Sequence, residues 1–307
     1  MTERDCFKEE FKYYKRKIPP PQYGKVIDFD ADILNLSVTK TNNFFDSKIN
    51  SECCILCQDL GLKDHKSWES YSLKDHKGFL YLKNPFFIKG QQTWIRKCLE
   101  LYPRKPSVTN LDLHHSNIDD IWSLSQGSNL IEKSYLSKLC WTTLGYHHNW
   151  DTKIYNPDHK SDFPKCLKQL SEHVAECLGF KNYNPEAAIV NYYNMKSSLG
   201  IHNDHSEENV HAPIISFSFG QTGIFLIGAL NKFKVPTAIF LRSGDIVIMS
   251  GESRLAFHAV PCIIQEDTTF RYYDSEDKEW SPFKNYIDKS RLNISVRQVY
   301  VEKTVSR

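Results

Sequence analysis

Residues 187–241 read AAIVNYYNMKSSLGIHNDHSEENVHAPIISFSFGQTGIFLIGALNKFKVPTAIFL. Short apolar runs (AAIVNYY, PIISFSF, GIFLIGAL, TAIFL) follow one another here, separated by Gly, Pro, Ser and Asp. Downstream the series continues with DIVIMS at 245–250, FHAVPCII at 257–264 and RLNISVRQVYV at 291–301. Runs of this length at close spacing predict an antiparallel sandwich or barrel.

Upstream of Ala187 the periodicity is helical. Phe7, Phe11 and Tyr14 recur at i, i+4 and i+7 and predict a helix over Arg4–Lys17, stopped by Pro19-Pro20-Pro21. Lys8, Lys12, Lys15 and Arg16 occupy its other surface. That face is either solvated, with the helix docked through its aromatics, or a basic arm for a phosphate backbone. Gln22 to Lys77 is polar and carries no clear assignment; LKDHK occurs twice, at 62–66 and 73–77, too little for a repeat architecture. Phe79–Phe87 reads as a strand, Gln91–Tyr102 as a helix ending before Pro103, and Pro164–Leu178 as a helix stopped by Gly179. In the last of these, Leu167, Leu170, Val174 and Cys177 share a face. The fold class is therefore α+β, with an N-terminal extension over 1–77 and a β-rich domain over 78–307.

The 307 residues are 40% hydrophobic and 13% aromatic, enough for a packed core, and the net charge of +2 neither demands nor excludes a nucleic acid. Nine scattered cysteines suit free thiols in a reducing compartment. Cys54-Ile55-Leu56-Cys57 has the spacing of half a zinc site, but no second C-x-x-C or His pair lies nearby, so ordinary packing is expected. No apolar stretch is long enough to span a bilayer, and MTERDCFKEEF carries acids where a targeting segment would not. An intracellular monomer is expected, in nucleus, cytoplasm or mitochondrion.

Four features point to chemistry. In Gly200-Ile201-His202-Asn203-Asp204, extended backbone would turn His202 and Asp204 the same way, offering an imidazole and a carboxylate together. His258 follows the DIVIMS strand and could complete a metal triad; by itself an apolar-flanked His is more often a core residue. In Arg291-Leu292-Asn293-Ile294-Ser295-Val296-Arg297 the alternation is strict, so Arg291, Asn293, Ser295 and Arg297 share one face. Two guanidiniums on an inward face need anions, and a dicarboxylate with one carboxylate for each Arg meets that need. Asn191 and Tyr193, also on one face, could donate to the same molecule. Two His and one carboxylate leave octahedral Fe(II) three open positions, enough for bidentate 2-oxoglutarate and O₂.

These motifs, N-x-Y at 191–193, H-x-D at 202–204, His258 and R-x-N-x-x-x-R at 291–297, resemble those of the AlkB dioxygenases. GYHHNWDTKIY at 145–155, SFSFGQTGIFLIG at 216–228 and SGDIVIMSGESRLAFHAVP at 243–261 strengthen the likeness, which runs from about Gly78 to Val301. The resemblance implies a double-stranded β-helix (jelly-roll) core. It implies Fe(II) on His202, Asp204 and His258, with Asp204 also the catalytic carboxylate. Tyr193 and Arg291 would hold the distal carboxylate of 2-oxoglutarate, and Asn191, Asn293 and Arg297 the end that chelates iron. Its substrates would be methylated bases, among them tRNA N1-methyladenine, DNA N6-methyladenine and tRNA wobble 5-methylcytosine. A base must be unpaired to reach such a site, so tRNA or single-stranded DNA is the expected partner. Trp141 and Tyr155 are candidate stacking residues, and Lys12, Lys15 and Arg16 candidate phosphate contacts. Residues 265–289 form a charged, aromatic insertion, read as a surface loop before a lid.

Other readings stand beside this one. Zn²⁺ on the same ligands would suit hydrolysis, but a hydrolase has no need of paired arginines. The same fold could act on a protein such as a histone tail, or bind nucleic acid without catalysis.

Overall fold

The computed structural model describes residues 4–31, 35–41, 56–114, 118–126, 134–266 and 278–301. Among the described residues, fifteen strands pair into two sheets, with every strand pairing antiparallel. The larger sheet holds β1 (Val38–Thr41), β2 (Glu69–Leu73), β3 (His76–Lys83), β4 (Val108–Thr109), β5 (Trp141–Asn149), β6 (Ile154–Lys160), β7 (Ala187–Asn194), β9 (Ile214–Gly220), β12 (Ile246–Met249) and β15 (Ser290–Arg297). Its order is β1-β2-β3-β12-β9-β15-β7-β5-β4, with β6 hairpinned onto β5. The smaller sheet, β11-β10-β13-β8, is built from β8 (Leu199–His202), β10 (Thr222–Ile227), β11 (Thr237–Leu241) and β13 (His258–Val260), with β14 (Ile263–Ile264) beside β10.

Three apolar clusters show how the layers stack. Between the sheets lie Tyr193, Ile214, Val247 and Met249 from the larger and Phe225, Ile227, Ile239 and Leu241 from the smaller. The outer face of the larger sheet buries Leu292, Ile294 and Val296 of β15 against helices. Those helices are α2 (Ile88–Arg96), α3 (Ile121–Gln126), α4 (Tyr135–Lys138), α5 (Lys165–Cys177) and α6 (Ser281–Ile287), following α1 (Cys6–Lys15) at the start of the chain. Period-2 alternation thus sends the apolar half of β15 outward to the helices and the polar half inward, between the sheets. A polar face inside a sandwich is costly unless it is partnered, and this one surrounds a cavity.

The third cluster covers the outer face of the smaller sheet. Phe7 and Tyr14 of α1 are buried there with Ile224, Leu226, Ala238 and Ala259, and Phe11 packs beside them. Asp5 caps the helix by accepting from the Lys8 amide at 2.8 Å. The aromatic face of α1 therefore docks, and its basic face is left exposed.

Several expected boundaries move. The strand expected over Phe79–Phe87 is β3, which starts at His76 and ends at Lys83; Asn84 turns the chain with φ 21°. The helix expected over Gln91–Tyr102 begins at Ile88 and closes in a π-helical turn over Lys97–Leu101. The polar segment from Gln22 to Lys77 supplies β1 and β2, and a boundary at residue 77 falls inside β3. The insertion is not a surface loop throughout. Residues 267–277 lie outside the described residues, but Trp280, Phe283, Tyr286 and Ile287 are core residues on and before α6. Phe283 stacks on Trp122 at 4.6 Å, and Arg96 lies 4.9 Å over its ring. Three aromatics and an isoleucine on and just before one short helix bury too much apolar surface to stay in solvent. Among the described residues, no helix is long and apolar enough to cross a membrane.

Candidate metal centre and its cavity

A cavity of about 490 Å³ opens between the sheets. His202, at the end of β8, stands opposite His258, at the start of β13, as a cross-strand pair. The strand ends at His202, and Asp204 reaches the pair from the segment that follows it. The imidazole centroids are 4.2 Å apart. Asp204 Oδ1 lies 4.0 Å from His202 Nε2, and Oδ2 lies 3.6 Å from His258 Nε2. All three donor atoms fall within 4.8 Å of one another, the one such group among the described residues.

Backbone carbonyls set the tautomers. Nδ1 of His202 donates to Gly200 O at 2.9 Å and Nδ1 of His258 donates to Ala256 O at 3.0 Å, which leaves both Nε2 lone pairs aimed at the cavity. Burial, with His202 second, pushes the His258 imidazole down to about 4, so it is neutral. Burial alone would push the Asp204 carboxyl up, but Arg297, His258 and His202 outweigh it and hold it well below the usual range. Two imidazole nitrogens and an ionised carboxylate on one side of a cavity fit a divalent metal with open positions.

The opposite wall is the inward face of β15. Arg291 faces Tyr193 across β7, and Asn293 faces Asn191, each as direct partners. Arg291 is buried; its Nη1 donates to Leu241 O at 2.9 Å and Gln221 O at 3.2 Å, and its Nη2 to Ser218 Oγ at 2.8 Å. Gly223 of β10 leaves the guanidinium room, because a Cβ there would stand 3.0 Å from Nε. Burial raises the Tyr193 phenol to about 12, so it stays a donor. Asn293 is fixed by Ser216 Oγ at 2.8 Å and Phe217 O at 3.1 Å.

Arg297 departs from the expectation of one external carboxylate for each arginine. The protein supplies its anions: Nε lies 3.3 Å from Glu207 Oε1 and Nη2 3.7 Å from Asp204 Oδ2. Its Nη1 donates to the Tyr155 hydroxyl at 3.0 Å. The other oxygen of Glu207 accepts from Arg254 Nη2 at 3.0 Å, and Arg254 Nη1 donates to the Asp204 carbonyl at 2.6 Å. Arg254, Glu207 and Arg297 are all buried and form a charged bracket around the metal-facing loop. Glu207 and Arg254 were not singled out from sequence. Glu207 lies three residues past Asp204, the only hint available.

The substrate candidates separate. Tyr155 is buried with its hydroxyl on Arg297, so it offers no stacking face to a base. Trp141 is half-buried at the head of β5, opposite Asn191, with its ring 5.0 Å from Trp150. Trp150 and Lys153 line the cavity with His148, whose Nε2 lies 3.1 Å from Ser206 Oγ. Trp150 sits inside the 145–155 motif, but a loop aromatic carries no periodicity that would mark it in the sequence. Lys12, Lys15 and Arg16 are exposed on α1, with Lys15 over Phe11 and Arg16 over Tyr13, and none lines the cavity.

A facing pair of imidazoles with one carboxylate, set between two antiparallel sheets, defines a non-haem metal oxygenase. The chain belongs to the 2OG-Fe(II) oxygenase superfamily, whose family model matches residues 78–297. It is similar to the nucleic acid dioxygenase ALKBH1 of Homo sapiens, at 36% identity over 96% of this chain and 84% of that protein. It is also similar to the tRNA demethylase abh1 of Schizosaccharomyces pombe, at 42% identity over 75% of this chain and 81% of that one. The solved structure of OsALKBH1 superposes with a TM-score of 0.50 at 21% identity, covering 72% of this chain and 96% of that one, a likeness of fold.

Proposed function

We propose that the chain oxidatively demethylates methylated bases in nucleic acid, using Fe(II), 2-oxoglutarate and O₂. The observation that carries this reading is the convergence of His202, Asp204 and His258 on a cavity whose facing wall bears Arg291 and Tyr193. His202, Asp204 and His258 hold the iron. Arg291 and Tyr193 take the distal carboxylate of 2-oxoglutarate, and Asn191, Asn293 and Arg297 orient the end nearer the metal. Bound iron with 2-oxoglutarate and O₂ supplies a two-electron oxidation of a C–H bond, with succinate and CO₂ released. Hydroxylation of an N-methyl group gives a hemiaminal that loses formaldehyde and restores the base. The protein's own part is to orient, to exclude water and to keep the oxidant at the methyl group.

Nucleic acid is favoured as the substrate by the similarity to a nucleic acid dioxygenase and a tRNA demethylase. The open side of the cavity agrees with this, because Trp150, Trp141, His148 and Lys153 offer stacking surface and a cation to an unpaired nucleotide. The test is succinate release by anaerobically iron-loaded protein with tRNA bearing N1-methyladenine or wobble 5-methylcytosine, bubbled DNA bearing N6-methyladenine, and a methylated histone peptide. Stimulation by a nucleic acid with stoichiometric formaldehyde is expected for the N-methyl substrates. Stimulation by the peptide alone would transfer the activity to protein.

A further inference from the structure

Gln221 is the one residue between β9 of the larger sheet and β10 of the smaller, and it is fully buried. The chain turns there at Gly220, with φ 83° and a Cβ position only 2.5 Å from Ser290 O, so no side chain fits. Every polar atom of Gln221 is engaged. Its amide donates to Ser290 O at 2.9 Å, and its carbonyl accepts from Arg291 Nη1 at 3.2 Å. In the side chain, Oε1 accepts from the Glu266 amide at 2.8 Å, while Nε2 donates to Asp288 O at 2.8 Å and to Glu266 O at 3.4 Å. Glu266 lies just past β14 and Asp288 just past α6, so one side chain ties the corner to two other segments.

The backbone of Gln221 meets Arg291 twice. Its amide holds the carbonyl of the preceding residue, Ser290, and its carbonyl holds the guanidinium. Together with Leu241 O and Ser218 Oγ, that carbonyl sets the plane in which the guanidinium lies. A planar fork recognises a carboxylate bidentately only in a matching plane, so orientation matters as much as charge. We infer that Gln221 is a positioning residue for the co-substrate: its side chain locks the peptide whose carbonyl aims Arg291 at the distal carboxylate of 2-oxoglutarate. This role rests on the assignment of that carboxylate to Arg291. Gln221 does not line the cavity, so it acts through Arg291 and not on the ligand. A primary amide suits the position because it accepts from a backbone N–H and donates to carbonyls at once. A carboxylate of the same length only accepts, and an apolar side chain does neither.

The test measures binding to the anaerobically iron-loaded full chain by calorimetry, for 2-oxoglutarate and for oxalate, an iron chelator without a distal arm. Gln221→Leu removes the side-chain hydrogen bonds at similar bulk. It should raise Kd for 2-oxoglutarate about tenfold and leave Kd for oxalate and for iron within about twofold. A purely structural role would move all three together or none, and either result overturns the proposal. Arg291→Gln separates the inference from the assignment beneath it, and should weaken 2-oxoglutarate about a hundredfold while sparing oxalate. If that variant binds 2-oxoglutarate normally, the assignment of the carboxylate is wrong and the role of Gln221 falls with it. If Arg291→Gln weakens binding and Gln221→Leu does not, the role of Gln221 alone is overturned. Because Gln221→Leu strands the Glu266 amide, wild-type protein supplies a second measurement that needs no variant to fold. Coupling between sites is reciprocal, so 2-oxoglutarate should slow hydrogen exchange at the Glu266 amide more than oxalate does. Equal slowing by the two ligands, or none, overturns the proposal.

Discussion

Glu207 and Arg254 form a wholly buried ion pair, with Oε2 3.0 Å from Nη2, and the other oxygen of the same carboxylate holds Arg297. Arg254 in turn grips the Asp204 carbonyl, so the bracket fixes the loop that presents the metal carboxylate. Glu207→Gln keeps the shape and removes the charge. Breaking a buried pair costs about 3–5 kcal/mol because the remaining charges are stranded. A loss of that size in urea unfolding is expected, together with weaker iron binding by calorimetry. A variant within about 1 kcal/mol of the parent, with unchanged iron affinity, would show that the bracket does not position Asp204.

Gly223 lies against Arg291, and a Cβ there would sit 3.0 Å from Nε and 3.2 Å from Cζ. Because the guanidinium is pinned by Leu241 O and Ser218 Oγ, it cannot yield freely. Gly223→Ala should raise KM for 2-oxoglutarate about tenfold, equivalent to about 1.4 kcal/mol. Iron affinity should be unchanged. Steady-state kinetics over a 2-oxoglutarate series separate the two, and an unaltered KM would refute the assignment of Arg291.

Burial drives His147, His148 and His258 down to about 4, with His159, Arg297 and His202 respectively as the second cause. In the unfolded chain each imidazole titrates near about 6.5. Between these values the unfolded state binds more protons, so stability is present above about 6.5 and is lost as pH falls toward about 4. For metal-free protein the combined loss is on the order of several kcal/mol. Urea midpoints measured across that window should fall steadily with acidification, and a flat profile would contradict the burial of these groups.

Trp150 is 38% exposed and lines the cavity. Trp150→Ala should weaken a nucleic-acid substrate by about 1–3 kcal/mol, the worth of one base stack. Succinate release without substrate should be untouched. If KM for the nucleic acid does not move, the aromatic mouth is not where the base is held.

Phe283 stacks between Trp122 and Trp280, with ring separations of 4.6 and 5.7 Å. Phe283→Ala should cost about 3–5 kcal/mol, read as a lower urea midpoint. A surface loop would lose almost nothing on the same substitution.

What could be read from sequence followed periodicity. The alternation of β15 identified the inward residues of the wall, and the helical repeat of α5 identified Leu167, Leu170, Val174 and Cys177 as core. Phe7 and Tyr14 belonged to the docking face for the same reason. Contacts between distant segments leave no such trace. Arg254 meets Glu207 across 47 positions, and neither falls in a repeating pattern. Trp280, Phe283 and Tyr286 follow a run of charges that masks the short buried helix. Tyr155 looked available because a sequence shows an aromatic ring but not that Arg297 claims its hydroxyl.

The placement of α1 bears on how this protein can be produced. The matched oxygenase region begins at residue 78, but the outer face of β10 and β13 is sealed by Phe7 and Tyr14, and α1 also lies against β8, the strand that ends in His202. A recombinant fragment trimmed to the matched region would lay bare Ile224, Leu226 and Ala259 and loosen the support behind a metal ligand. Such fragments should come out of expression as aggregates or as iron-poor enzyme, and an amino-terminal tag should be joined through a linker that leaves the first helix seated.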